Sequence, residues 1–192
     1  MGPSGAGKTT LAGRLGARFK VPAYPLDPIA FTDKRWTIRP LGQKVRAIRD
    51  ILEQPGWIAE GGHVRWTDPL VEASDMIIWL EIPLVATLRR RTRGLRGIKL
   101  IREMPQIWWQ VRWYLRPYRQ SQDLDRWPSG SAIRHVLKPH MGKVLRYGRN
   151  PDVNAVAEAI REDPSPPGRP QRLGQLSPLA AGLTPSIASA RY

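Results

Sequence analysis

"MGPSGAGKTT" (residues 1–10) is the stretch that decides the fold. Gly2 to Thr9 satisfy the spacing G-x-x-x-x-G-K-[ST]. Glycines at these positions let successive backbone N–H groups turn inward, forming a nest for phosphate oxygens. The helix that follows adds its positive N-terminal end. The expected contacts to nucleotide phosphates come from Gly2, Pro3, Ser4, Gly5, Ala6, Gly7, Lys8, Thr9 and Thr10. Lys8 reaches the β- and γ-phosphates and the Thr9 hydroxyl ligates Mg²⁺, so the loop implies ATP and Mg²⁺. "KTTLAGRLGARF" (8–19) supplies the helix, with Leu11, Leu15 and Phe19 on one stripe. The strand that should lead into such a loop would have to lie before Met1. The sequence therefore predicts a start placed too late, with further apolar residues upstream; an inactive, truncated product is the alternative.

Outward from the loop, strand and helix signals alternate. "VPAYPL" (21–26) is a short extended piece ending at Asp27, and "LGQKVRAIRDILE" (41–53) carries Val45, Ile48, Ile51 and Leu52 at helical spacing. Pro55-Gly56 ends that helix. "WIAEG" (57–61) reads as a short strand and "TDPLVEA" as a helix with Pro69 early in it. "DMIIWLEIP" (75–83) is a continuous apolar run, as a strand covered on both faces requires. A basic helix follows, then a tryptophan-rich helix from about Lys99 to Tyr118, a strand in "KVLRYG" (143–148) and a helix in "DVNAVAEAI" (152–160). Such alternation predicts a parallel sheet with helices on both faces, an α/β fold. Residues 163–192 hold six prolines and no periodic apolar face, and read as a disordered tail behind a single domain, 1–162.

The 192 residues contain no cysteine, which excludes disulfides and thiolate metal sites. Every apolar run is too short to span a bilayer, and the first residues have no basic region followed by an apolar stretch, so they are not expected to be a signal peptide. The expected compartment is the cytoplasm, with no membrane partner. The net charge of +15 favours phosphate-bearing partners. Ten arginines and lysines fall between residues 89 and 119, opposed only by Glu103. A solvated helical face and a nucleic-acid surface both fit that run.

The loop resembles those of the adenylate kinase and shikimate kinase branch of P-loop kinases. Longer stretches resemble the bacterial DNA topology modulation (FlaR-like) family, whose members look like small nucleotide kinases. These are "GPSGAGKTTLAGRLGARFKVPAYPLD", "PGWIAEGGH", "SDMIIWLEIPLVATLRRRTR" and "KVLRYGRNPDVNAVAEAI". The resemblance implies a P-loop NTPase fold with three α/β/α layers. It also implies a parallel sheet of order 2-3-1-4-5, whose strand 1 is missing from this chain, and a helical lid over about 94–120. It implies phosphoryl transfer from ATP to a nucleotide or small hydroxyl acceptor, with a nucleic-acid-associated regulatory ATPase as the alternative. Oligomeric state is not legible.

Several residues acquire roles by that resemblance. Asp27 would orient an acceptor hydroxyl or hold Mg²⁺ through water, unless it is simply a turn aspartate before Pro28. Glu60 stands where the family carries aspartate in the Mg²⁺ shell, one methylene longer. Glu81 is a weaker second acid, and His63 reads as a solvated loop histidine with a phosphate or base contact as the alternative. Among Arg89, Arg90 and Arg93 at least one would clamp the transferring phosphate, Arg89 and Arg93 sharing a helix face. Trp108, Trp109, Trp113 and Tyr114 would pack the lid on the core or stack on a base. Arg149 and Asn150 lie where the adenine loop is expected.

Overall fold

The structure is a computed structural model describing residues 1–33, 36–94, 96–115 and 129–162, with backbone alone at residues 100, 106, 109 and 113. The expected tail, 163–192, and the far end of the expected lid, 116–120, lie outside the described residues.

In chain order the elements are α1 (Lys8–Phe19), β1 (Ala23–Pro25), α2 (Asp27–Ala30), α3 (Leu41–Leu52), β2 (Ile58–Glu60), α4 (Asp68–Ala73), β3 (Ile77–Leu80), α5 (Leu84–Thr92), α6 (Ile98–Leu115), α7 (Gly130–Leu137), β4 (Val144–Tyr147) and α8 (Val153–Glu162). The strands form two parallel pairs, β1 with β2 and β3 with β4. The single parallel sheet read from the sequence is therefore divided among the described residues.

β3 shows why its apolar run is continuous. Ile77 and Trp79 pack against Val71 of α4 and Ala132, Ile133 and Leu137 of α7. Ile78 and Leu80 pack against Leu11 and Leu15 of α1 and Val156 and Ala157 of α8. Side chains alternate across a strand, so helices on both faces require apolar residues at every position. A third cluster joins α2, α3 and α4 through Ala30, Ile48, Ile51 and Leu70. Its helix α3 presents Ile48 and Ile51 inward, as the spacing predicted.

Two helices were not legible in the sequence. α2 begins at Asp27, so this residue opens a short helix rather than closing a strand. α7 has the N-cap Ser129, whose hydroxyl accepts the Ala132 N–H at 3.2 Å. Its apolar face is buried against β3, far away in sequence. Among the described residues no helix is long and apolar enough to cross a membrane.

Candidate nucleotide site

The loop has the backbone geometry of a phosphate nest. Gly5 and Gly7 have φ of 73° and 87°, in the left-handed region that glycine enters without a steric penalty. Gly7 is the N-cap of α1, so the first N–H groups of the helix point towards the nest. The Ala6 N–H bonds back to Pro3 O at 3.2 Å, tightening the turn. The Lys8 ammonium donates to Pro3 O at 2.9 Å, folding over the loop it serves. Burial lowers the Lys8 pKa from its ordinary value, while Glu60 and Asp27 oppose that shift.

The two carboxylates reach the loop through strand pairing. Pro25 stands opposite Glu60 in the β1–β2 register, and the Leu26 N–H donates to Glu60 O at 2.9 Å. This places Asp27, the next residue, beside Glu60. The Thr9 hydroxyl donates to Glu60 Oε1 at 2.8 Å. The expected metal pair, Thr9 and Glu60, is thus brought together across 51 residues of sequence. Mg²⁺ ordinarily takes one or two carboxylates with substrate phosphates and waters, not a full protein cage.

Asp27 has a partner that the sequence reading misjudged. His63 is buried, not solvated, and its Nε2 lies 2.8 Å from Asp27 Oδ1. Its ring sits against Phe31 and Trp66, at centroid distances of 5.9 and 5.2 Å, and its Nδ1 is buried without a hydrogen-bond partner. With Nδ1 in apolar surroundings, the Nε2 proton is the one positioned to donate to Asp27. That bond is the main cause lowering the Asp27 pKa, against the opposing effect of burial and with help from the charges of His63 and Lys8. A depressed folded pKa contributes stability above the unfolded value, and the contribution is lost as pH falls through the folded value. The side chain is 64% exposed, so solvent screening holds the effect below about 1 kcal/mol. Chemical denaturation should show wild type losing this increment below about pH 4, and Asp27→Asn showing no corresponding loss.

The arginine that meets the loop is not among those expected. Arg89, Arg90 and Arg93 are exposed. Arg91 instead donates from Nη2 to Ser4 Oγ at 3.3 Å and from Nη1 to Glu103 Oε2 at 2.7 Å. Its Nε is buried and lacks a partner. The signal was present in the helix: Leu84, Leu88 and Arg91 recur at i, i+4 and i+7 on the stripe that buries Thr87. The Arg89–Arg93 spacing selected the solvent side. Glu103, the lone acid of the basic run, is the residue that fixes Arg91.

α6 lies against the same loop. Buried Gln110 donates from Nε2 to Ser4 O at 3.0 Å, and Tyr114 donates to Ile82 O. Trp108 is 54% exposed and carries Arg112 over its ring; the side chains of Trp109 and Trp113 lie outside the described residues. Glu81 is held by Arg134 and Arg146. Arg149 is exposed. Its neighbour Asn150 approaches the nest, with its amide 3.2 Å from where a Cβ on Gly7 would stand.

Among solved structures, the crystal structure of shikimate kinase from Bacteroides thetaiotaomicron is similar over 84% of this chain and 94% of that one, with 15% identity and a TM-score of 0.42. No protein-family profile and no curated protein matches the chain.

Proposed function

We propose that this protein is a small P-loop kinase, binding ATP with Mg²⁺ and transferring a phosphate to a nucleotide or small hydroxyl acceptor. The observation that carries the reading is the Thr9–Glu60 contact at the mouth of the glycine nest, with Lys8 and Asp27 beside it. Phosphoryl transfer needs phosphates cradled, a metal held, an acceptor oriented and developing charge neutralised. The residues divide among those tasks. Gly5, Gly7 and the start of α1 offer N–H groups to phosphate oxygens, and Lys8 adds a point charge. Thr9 and Glu60 would hold Mg²⁺, which supplies charge neutralisation on the phosphates when bound. Asp27, kept ionised and oriented by His63, faces the side from which an acceptor hydroxyl can approach. Arg91 presents a guanidinium fork over the loop. The finer placement in the topology modulation family, the 2-3-1-4-5 strand order, the adenine contact by Arg149 and the lid role of α6 belong to the same reading.

Titration with ATP in the presence of Mg²⁺, followed by an acceptor screen, tests it. Saturable binding that Lys8→Ala removes is expected. Failure to bind ATP, or binding indifferent to Lys8→Ala, would overturn it. Thr9→Ala and Glu60→Gln should each raise the Mg²⁺ concentration needed for half-maximal activity by about tenfold, the scale expected when a metal contact is lost. An unchanged Mg²⁺ dependence in both variants would remove them from the metal site.

One observation favours a second reading, a nucleic-acid-associated ATPase. Arg89, Arg90, Arg93, Arg96, Lys99 and Arg102 are all exposed on α5, α6 and the turn between them. Duplex DNA titrated at several salt concentrations separates the two readings, since a phosphate-binding face gives affinity that falls steeply with salt.

A further inference from the structure

α6 carries its polarity the wrong way round for a helix on a globular core. The side chains that reach the rest of the protein are polar. Glu103 accepts from Arg91, Gln110 donates to Ser4 O and Tyr114 donates to Ile82 O. Ile98, Ile101, Met104, Trp108 and Leu115 point outward instead, each between 52% and 72% exposed. At about 100° per residue these five fall within an arc of about 120°, on the side away from Glu103, Gln110 and Tyr114. A surface helix ordinarily turns such a stripe to the core and its polar residues to water. The stripe runs the length of the 18-residue helix, about 27 Å. Single exposed apolar residues need no explanation, but a continuous stripe marks a surface that something covers.

The surrounding charge indicates what covers it. Arg102 borders the stripe, and Arg112 interrupts it with a guanidinium 5.4 Å from the centre of the Trp108 ring. Lys99 lies further round, and Arg93 and Arg96 are exposed in the turn before the helix. Glu103 is the only acid among residues 89–115, and it is tied to Arg91. The cover must therefore supply apolar contact and negative charge together. Duplex nucleic acid offers phosphates to the arginines but leaves the aliphatic side chains in water. A second copy of the chain would bring two sets of like charges face to face. An anionic bilayer supplies both requirements, acyl chains for the stripe and phosphates for the cations. Arginine and lysine stems lie along apolar surface while their heads reach the phosphates, and tryptophan suits the headgroup boundary. The sequence expectation of no membrane partner concerned spanning length. A helix that lies on a membrane needs only an exposed apolar face with basic flanks.

We propose that α6 is a membrane-surface helix, seated by the Ile98–Leu115 stripe at the headgroup boundary of a bilayer rich in anionic lipid. It lies along the surface, since no described helix is long and apolar enough to cross a membrane. Its inner face keeps Gln110 on Ser4 of the phosphate loop, so the candidate nucleotide site stands directly behind the docked helix.

Co-sedimentation with vesicles of phosphatidylcholine containing about one-third phosphatidylserine tests this. The full chain should bind these vesicles, bind pure phosphatidylcholine at least about tenfold more weakly, and be released by salt. Ile98→Ser, Ile101→Ser, Met104→Ser and Leu115→Ser combined should weaken binding by about 100-fold or more. Arg96→Gln, Lys99→Gln and Arg102→Gln combined should weaken it by about 100-fold. All of these side chains are exposed, so the thermal midpoints should stay with wild type. Vesicles with brominated acyl chains give a readout that needs no multiple variant. They should quench the fluorescence of the bound protein, and quench it less in Trp108→Phe. Failure to bind anionic vesicles, or binding that survives the four serine substitutions, would overturn the proposal. Affinity for duplex DNA without vesicle binding would also overturn it, assigning the arginines to nucleic acid. So would a dimer that the serine substitutions dissociate while vesicles remain unbound, assigning the stripe to a second copy. None of these readouts uses ATP, so the result is independent of the kinase reading.

Discussion

Arg91→Ala is expected to lower phosphoryl transfer by about 10³-fold, the lower bound for loss of an arginine that stabilises transferring phosphate. ATP affinity should change by less than about tenfold, because on the kinase reading the charge that Arg91 would neutralise develops in the transition state. The expectation rests on position. Arg91 contacts the loop hydroxyl of Ser4 and is oriented by Glu103. Arg89, Arg90 and Arg93 project from the exposed side of the same segment, where their charges are screened over about one Debye length. Each of their alanine variants should stay within about threefold of wild type. Arg91→Lys keeps the charge but not the planar fork, and should recover only part of the rate. Rates under saturating ATP, with thermal midpoints recorded alongside, decide the matter. A collapse in Arg89→Ala with Arg91→Ala near wild type would assign the clamp to the other face of α5.

Gly2→Ala is expected to destabilise the protein by about 3 kcal/mol or more, with loss of ATP binding following from it. A Cβ on Gly2 would stand 2.6 Å from Leu80 O and 3.1 Å from Leu80 Cβ, at a φ of 152° that side chains rarely adopt. Leu80 is a core residue of β3 whose N–H holds the Met1 carbonyl. Neither the carbonyl nor the buried strand can retreat without opening close-packed contacts. The chain must instead leave the β3 edge, carrying the loop with it. Gly13→Ala is the internal control, since nothing lies within 4 Å of its Cβ position in α1. It should stabilise by about 0.5–1 kcal/mol, because alanine loses less backbone entropy than glycine in a helix. Urea unfolding of both variants measures the contrast. Equal midpoints for the two would show that the loop does not depend on its packing against β3.

The sequence alone placed α1, α3, α5, α8 and all four strands, and for α1, α3 and β3 the reason is a buried face whose repeat is written locally. The α1 stripe of Leu11 and Leu15 and the unbroken apolar run of β3 are examples. The phosphate loop was equally legible, since its chemistry depends on eight consecutive residues. Other features depended on contacts between distant segments. The Ser129 cap of α7 is local, but its apolar face has meaning only against β3. His63 looked like a solvated loop residue until Phe31, Trp66 and Asp27 enclosed it. The stripe of Leu84, Leu88 and Arg91 was written in the sequence, but only packing buried the Thr87 side of α5 and set Ser4 against Arg91. The sequence by itself determined that a glycine nest with Lys8 and Thr9 begins a helix, because backbone permissiveness and side-chain type are properties of the residues in place. The tertiary structure alone decided which acid meets Thr9, which arginine meets Ser4 and which strand holds Met1, because each pairing depends on strands and helices far apart in the chain.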